Sequence, residues 1–480
     1  MQTFPSRQPT QGTCDPHQPH EDLRLRYRYL DLRRPVLSNN LHKRSKVAHI
    51  VRSTLHDNDF VEVETPILLK STPEGAREFL VPTRLSSTAN ARSSSHPLFY
   101  ALPQSPQQPK QLLIASGAVD RYYQIARCFR DEDGRKDRQP EFTQIDLEMA
   151  WVSWGNQYAA DAGVWRIGGK EVKEVIETLI RRIWSTIEGV ELPEEFRVMT
   201  YAEAMNRFGS DKPDVRFGLE ARLSQTDDIV EALVDAPRQQ YSLSGSAGLL
   251  SDYDVQRAVA NAIELQKGDT IWVAKRSRIP QGGSTTLGRL RLSLSAIAQS
   301  LGTLSLPTDP HFLWVTEFPL FTRADSDKDF LTRGRWGSSH HPFTAPMWED
   351  IEKMYSGQVY EVRGQHYDLV LNGTEIGGGS VRVHDANMQE YIFSEILQLS
   401  NSERSSFDHL LHALRCGAPP HGGIALGFDR LMAILCKAES IRDVIAFPKT
   451  GAGTDLLFRS PAPASSPDIL QQYGIEQQRS

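Results

Sequence analysis

Residues 121–148 read Arg121-Tyr-Tyr-Gln-Ile-Ala-Arg-Cys-Phe-Arg130-Asp-Glu-Asp-Gly-Arg-Lys-Asp-Arg-Gln-Pro140-Glu-Phe-Thr-Gln-Ile-Asp-Leu-Glu148. The second half alternates: Thr143, Ile145, Leu147 and Met149 fall on one face, and Gln144, Asp146 and Glu148 on the other, as in a strand with one buried side. The first half sets Gln124, Ala126, Cys128 and Arg130 against Tyr123, Ile125 and Phe129. The stretch therefore reads as two strands joined by the charged segment 131–139, with Gly134 as the turn. Such a hairpin projects Arg130, Gln144, Asp146 and Glu148 from one surface. A half-solvated sheet edge has the same period. The mixture of a guanidinium, carboxylates, an amide and the Phe142 ring instead suits a nucleotide, with arginine for phosphate and an aromatic face for a base.

On the N-terminal side, Ser38 can cap a helix with Leu41, Ala48, Val51 and Leu55 on one side, and Phe60 to Glu64 alternates as a strand. The basic run Arg24 to Lys46 is interrupted by one acid, Asp31. It reads equally as a solvated charge run or as contact with nucleic-acid phosphates. Ser71 to Arg77 is a loop marked by Gly and Pro, and Ser86 to His96 is a serine-rich expansion. On the C-terminal side, Lys170 to Glu188 is an amphipathic helix whose stripe (Val172, Val175, Ile176, Leu179, Ile180, Ile183) is packing. Met199 to Met205 opens another helix, leading to Gly209-Ser-Asp-Lys-Pro-Asp214. Trp314 to Pro319 is a strand entering a proline turn. The pair His340-His341 is weak evidence for a metal by itself. Tyr367 to Leu371 is a buried strand carrying Asp368, turned by Asn372-Gly373 into 375–384, where Val381 and Val383 oppose Ser380, Arg382 and His384. Gly422 to Leu431 is a strand entering a helix, with Arg430 in the first turn, where the helix dipole favours anions.

Together these stretches resemble class II aminoacyl-tRNA synthetases, and among them the aspartyl-tRNA synthetases of bacteria and organelles. The 121–148 hairpin is similar to motif 2, the helix from Ser38 with its following strand to the dimer-forming motif 1, and Gly422 to Leu431 to motif 3. Segment 71–77 resembles the loop that closes over the amino acid, and Gly209 to Asp214 also matches the aspartyl family. The resemblance covers Leu23 to Ser210 and Trp314 to Phe458. It implies an α+β fold, an antiparallel sheet flanked by helices, with a shortened inserted domain. The implied division is a disordered or linker remnant at 1–20, catalytic core at 21–214 and 312–459, the insert at 215–311, and a tail at 460–480. A serine- and glycine-rich patch, Ser242 to Gly248, lies in the insert.

The resemblance also implies a reaction and its residues. Aspartate would attack the α-phosphate of ATP, and the aspartyl group would then pass to the 3′ end of tRNA(Asp). Arg130 and Arg430 would be catalytic, Arg130 on the α-phosphate and Arg430 with His341 at the γ-phosphate end. Phe142 would stack on adenine and Glu132 accept from its amino group. Asp368 and Glu375 would hold Mg2+. Lys110 and Arg382 would face the aspartate side chain, while Ser105, Gln107, Asp146 and Glu74 would hold its α-ammonium. The family usually has two apolar or aromatic residues before this lysine; here they are Gln108 and Pro109, which puts its helical placement in question.

Composition fits this class. The chain has 480 residues, 39% hydrophobic and 24% charged, and a net charge of −6, which excludes a globally basic nucleic-acid coat. The four cysteines are scattered without CxxC spacing and read as reduced thiols. No apolar run approaches a membrane span, no Walker A sequence is present, and no presequence is visible at the start. Family members begin with an anticodon-binding barrel of about a hundred residues. Only residues 1–20 precede the core here, so either the barrel is lost or the reading frame is incomplete at its start. The ending resembles organellar members, which points to the mitochondrial matrix, with the cytoplasm as the alternative. Two other readings stay open: a ligase that passes aspartyl-adenylate to a small amine without tRNA, and a non-catalytic paralogue that binds a partner. Intact Arg130, Arg430, Asp368 and Glu375 argue against the second of these.

Overall fold

The computed structural model describes residues 19–71, 77–84, 98–132, 134–155, 163–223, 229–235, 270–276, 282–323, 335–464 and 466–475. At its centre is one sheet of eight strands. These are β1 (Val61–Glu62), β2 (Arg121–Phe129), β3 (Glu141–Ala150), β4 (Arg197–Thr200), β5 (Phe312–Thr316), β6 (His366–Leu371), β7 (Thr374–Val381) and β8 (His421–Gly427). Their spatial order is β1-β2-β3-β8-β7-β6-β5-β4. From β2 to β5 every neighbouring pair is antiparallel, while β1 and β4 join the two edges in parallel. The expected α+β sheet is therefore mixed at its margins.

The β2–β3 register pairs Gln124 with Asp146, Ala126 with Gln144 and Cys128 with Phe142, so the expected polar face forms. On the other face Ile145, Leu147, Met149 and Tyr123 enter the main core. The turn is not at Gly134. Arg135 and Arg138 bridge each other, which puts Lys136 and Asp137 at the tip. Gly134 is needed for another reason: a Cβ there would lie 2.7 Å from the Gly451 carbonyl oxygen, so its lack of side chain lets the loop lie against residue 451. At the far end of the sheet, Asn372 (φ 51°) and Gly373 (φ 82°) make the tight β6–β7 turn.

Helices cover the sheet. They include α1 (Pro35–His56), α2 (Gln107–Ala115), α3 (Lys170–Glu188), α4 (Tyr201–Phe208), α5 (Thr286–Ser300) and α6 (Phe428–Leu435). Helix α1 starts a turn earlier than its sequence suggests, because Pro35 occupies the first position, where a missing N–H is not required. Its buried stripe is Leu37, Val47, Ile50, Val51 and Leu55, and Leu41 and Ala48 are only partly covered. The α3 stripe is buried as read from the sequence. A separate three-stranded antiparallel sheet (Ala221–Leu223, Ile229–Asp235, Thr270–Arg276) lies in the 215–311 region. The patch 242–248 and the segment 86–96 fall outside the described residues.

Much of the basic run is spent inside the fold. Arg28, 2% exposed, ion-pairs Asp31 at 2.8 Å and donates to the carbonyls of Arg442, Ile445 and Ala446. Arg24 pairs with Asp31 and Asp443, Arg34 with Asp31, Lys43 with Glu188, and Arg44 with Asp429. Arg24, Arg28 and Arg44 tie this run to residues 429–446, so the solvated-run reading fails for these three. Of the run, Arg26, Arg33 and Lys46 keep a largely solvent-facing or intermediate position. Among the described residues no helix is long and apolar enough to cross a membrane. Cys128, Cys416 and Cys436 are free thiols.

Candidate active site

Two arginines open the site. Arg130 follows β2 directly; its N–H donates to the Pro140 carbonyl, and its guanidinium lies 5.2 Å over the Phe142 ring. Arg430 sits in the first turn of α6, where its Nη1 donates to the Glu375 carbonyl at 2.6 Å and its Nη2 reaches Asp137 at 3.3 Å. The Nε of each arginine is buried and has no hydrogen-bond partner among the described residues. A buried donor left unpaired is costly, so both groups suit an acceptor that the described residues do not supply. Glu132, at the loop's start, pairs at 3.3 Å with Arg138.

Across the sheet face lies a buried cluster of two cations and two carboxylates. Lys110, 1% exposed, reaches Asp146 at 2.5 Å and Glu148 at 3.0 Å. Its remaining N–H has only a long contact, 3.4 Å, with the Leu147 carbonyl. Arg382, also 1% exposed, grips Glu148 with a two-pronged fork at 2.8 and 3.1 Å and donates to Ser380 Oγ at 2.7 Å. Its Nη1 also meets His341 Nε2. Arginine has no acceptor, so that imidazole nitrogen accepts. Burial and the neighbouring Arg382 hold the His341 pKa well below its ordinary value, which keeps the ring neutral and able to accept. Burial pushes the Glu148 carboxyl up, but Arg382 and Lys110 outweigh it and hold it at about 2. Asp146 lacks the second cation, and burial pushes its pKa up despite Lys110.

Pro109 does not displace Lys110. Helix α2 begins at Gln107, so Pro109 stands in its first turn, where backbone N–H groups have no helical partner anyway. Gly423 on β8 makes room for both the β3 backbone and the cluster: a Cβ there would lie 2.1 Å from the Leu147 carbonyl oxygen and 2.2 Å from Glu148 Oε2. Gly423→Ala is expected to force β3 and Glu148 aside and destabilise the fold by about 1–3 kcal/mol, as overpacking does. Thermal unfolding of the variant checks this, and an unchanged midpoint would mean that the strand and Glu148 both yield without cost.

A third group lies at the β6–β7 hairpin. Asp368 Oδ1 is 2.8 Å from His366 Nε2, while its Oδ2 and Glu375 Oε2 lie 3.7 and 3.3 Å from the Lys212 ammonium. Burial raises the Asp368 pKa, but His366 and Lys212 outweigh it and the carboxyl is held low. Among the described residues no set of three or more His, Cys, Asp or Glu is arranged to hold a metal alone. Two carboxylate oxygens gathered round one positive charge do fit Mg2+, which binds through one or two carboxylates plus substrate phosphates and keeps several waters.

The family description tRNA synthetases class II (D, K and N) matches residues 20–451. The chain belongs to the class II aminoacyl-tRNA synthetases. It is 40% identical over 492 residues to the mitochondrial aspartate–tRNA ligase of Schizosaccharomyces pombe, covering 94% of this chain and 76% of that one. It is 42% identical over 500 residues to the aspartate–tRNA(Asp/Asn) ligase of Geotalea uraniireducens, covering 95% and 78%. Its fold is similar to asparaginyl-tRNA synthetase from Pyrococcus horikoshii complexed with asparaginyl-adenylate, with a TM-score of 0.52 at 17% identity over 91% of this chain and 74% of that one.

Within this synthetase the structure sorts the residues singled out from sequence. Lys110, Asp146 and Arg382 come together, with His341 joined to them rather than to Arg430. Asp146 is engaged with Lys110, which competes with the ammonium-holding role expected for it. Gln107 turns to Gln111 at 3.0 Å. Ser105 lines a cavity of about 550 Å³ with Leu69, Lys70 and Leu112, and no described hydrogen bond joins it to Lys110. Glu74 lies outside the described residues. Sequence reasoning left Glu148, His366 and Lys212 without roles. Glu148 could have been found by charge balance, because two buried cations need more than one carboxylate. Lys212 gives no such signal, since only the fold brings its loop to β6 and β7.

Proposed function

We infer that the synthetase is an aspartate–tRNA ligase, which condenses aspartate with ATP and transfers the aspartyl group to tRNA. The observation that carries the choice of amino acid is the pairing of Lys110 and Arg382 in one buried pocket. Asp146 and Glu148 hold both cations in place, and the third N–H of Lys110, 3.4 Å from the Leu147 carbonyl, is weakly satisfied, which suits an acidic substrate. A neutral amide in place of the carboxylate would leave that ammonium underpaired.

In the first step an α-carboxylate oxygen of aspartate attacks the α-phosphorus in line, the bond to the bridging oxygen of the β-phosphate breaks, and pyrophosphate departs. Protein contributes positioning and positive charge where negative charge gathers. Arg130 takes the α-phosphate with its planar fork, and Arg430 takes the far end of the triphosphate. Phe142 stacks on adenine, and Glu132 accepts from its amino group. Asp368 and Glu375 would hold Mg2+, which when bound neutralises phosphate charge. Ser105, Gln107 and Glu74 remain assigned to the α-ammonium. His341 is reassigned: as an acceptor from Arg382 it orients the guanidinium towards the aspartate side chain. In the second step the terminal ribose hydroxyl of tRNA attacks the acyl carbon and AMP leaves. Pyrophosphate exchange with aspartate or asparagine, followed by tRNA charging, tests the reading. Exchange with aspartate alone and charging of tRNA(Asp) support it. Product formed on a small amine without tRNA, or no exchange, would replace it by one of the other two readings.

We also place the enzyme in a homodimer and in mitochondria. Val61, Ile67, Leu68, Leu80, Leu98, Phe99 and Tyr100 are each 43–59% exposed near β1 and the small hairpin Leu80–Pro82/Phe99–Ala101. Clustered exposed apolar side chains mark interaction surfaces. In a two-fold interface one substitution acts twice, so Phe99→Asp is expected to convert a dimer to a monomer in sedimentation. A wild-type monomer that is fully active at assay concentration would remove the assignment. The mitochondrial placement is supported by mitochondrial ligases among the relatives; bacterial ones are similarly close. Fluorescent tagging of the full-length protein in its own cells decides it.

A further inference from the structure

Lys212 has no place in the steps above, yet its ammonium reaches the carboxylates assigned to the metal. It lies 2.7 Å from Asp211, 3.3 Å from Glu375 and 3.7 Å from Asp368. Asp211 and Lys212 come from the loop after α4, Asp368 from β6 and Glu375 from β7. The loop is fixed rather than draped. Lys212 N–H donates to Ser210 Oγ, Asp211 N–H donates to the Gly283 carbonyl, and the Gly373 turn packs so tightly on Asp214 that a Cβ there would come within 2.9 Å. An ordinary salt bridge needs one carboxylate, and this lysine is placed among three.

We propose that Lys212 is the resident counter-cation of the Asp368–Glu375 site, which keeps the two carboxylates assembled and makes binding of a divalent cation conditional on nucleotide. The inference rests on the reading of Asp368 and Glu375 as metal ligands. Without ATP the ammonium competes for the oxygens a divalent cation would use and repels that cation. The triphosphate brings enough negative charge and enough oxygen ligands to draw the metal in alongside or in place of the ammonium. Lys212 is thus a positioning residue for the metal and does not touch the reacting atoms.

The test is a Mn2+ titration of the full chain, read by electron paramagnetic resonance of the free ion, with and without a non-hydrolysable ATP analogue. Lys212→Met is expected to bind Mn2+ at least tenfold more tightly than wild type without nucleotide, while Lys212→Arg stays near wild type and the difference narrows with the analogue. Lys212→Gln, with the same expected gain, serves if the methionine variant does not fold. A gain of binding is not what a damaged fold produces. Equal or weaker nucleotide-free binding by both neutral variants overturns the proposal. Asp368→Asn with Glu375→Gln separates the two layers. If these changes abolish Mn2+ binding in the presence of the analogue but neutralising Lys212 gives no gain, only the role of Lys212 falls. If they leave Mn2+ binding intact, the metal reading falls with it.

Discussion

Arg130→Lys should reduce aspartate-dependent pyrophosphate exchange by about 10²–10³-fold, a loss of roughly 3–4 kcal/mol in transition-state stabilisation of the kind seen when one preorganised donor is removed. The charge survives this change, so the size of the loss measures geometry. Lysine cannot present a planar fork to a phosphate. It also gives up the Nε, which has no hydrogen-bond partner among the described residues, and the contact of the guanidinium with the Phe142 ring at 5.2 Å. Because Arg130 makes no ion pair among the described residues, the fold should be undisturbed, and a normal unfolding midpoint should accompany the lost activity. Exchange within a few-fold of wild type would remove Arg130 from the α-phosphate.

The second large effect is expected at Lys110. Lys110→Met should raise the KM for aspartate far more than the KM for ATP, because the pocket loses a buried cation while the arginines of the phosphate end are untouched. It also carries a structural cost. Glu148 keeps Arg382, but Asp146, 1% exposed, loses the partner at 2.5 Å, and an uncompensated buried charge costs about 3–5 kcal/mol. Burial already pushes the Asp146 pKa up, so the variant should protonate this group and recover part of that cost. The double variant Lys110→Met with Asp146→Asn removes both charges and should regain stability without regaining aspartate activation. A single variant with an unchanged KM for aspartate would place the substrate carboxylate elsewhere.

The parts of the site that were legible in the sequence share one property: local periodicity fixes them. Period two alone placed Gln144, Asp146 and Glu148 on one face, and the 3.6-residue stripe placed α3. What failed was set by distant partners. Arg28 and Arg24 read as solvated or phosphate-bound because their partners Arg442, Asp443 and Ala446 lie more than four hundred residues along the chain. Gly134 reads locally as a turn, since nothing nearby in sequence signals that the carbonyl it accommodates belongs to Gly451. Gln108 and Pro109 depart from the residues usual before Lys110, yet the start of α2 makes Pro109 a first-turn residue and leaves the lysine in the helix. Resemblance alone points His341 to the phosphates, whereas its contact with Arg382 arises only where the end of β7 meets the 339–344 segment.

Asp429, the residue before Arg430, is 4% exposed and has two ties: Oδ2 accepts the Thr143 N–H of β3 at 2.8 Å, and Oδ1 ion-pairs Arg44 of α1 at 2.6 Å. The same guanidinium covers the Phe428 ring at 4.4 Å. Helix α1, the motif 2 hairpin and the motif 3 helix are thus clasped at one carboxylate beside Arg430, the arginine proposed for the far end of the triphosphate. Loss of Arg44 alone would strand a buried charge, and loss of Asp429 alone would leave both a cation and a strand N–H unmet. Neither position can drift by itself, so mutation is free to explore this corner of the enzyme only by paired replacement, and a lineage that has changed one residue carries the mark of the other.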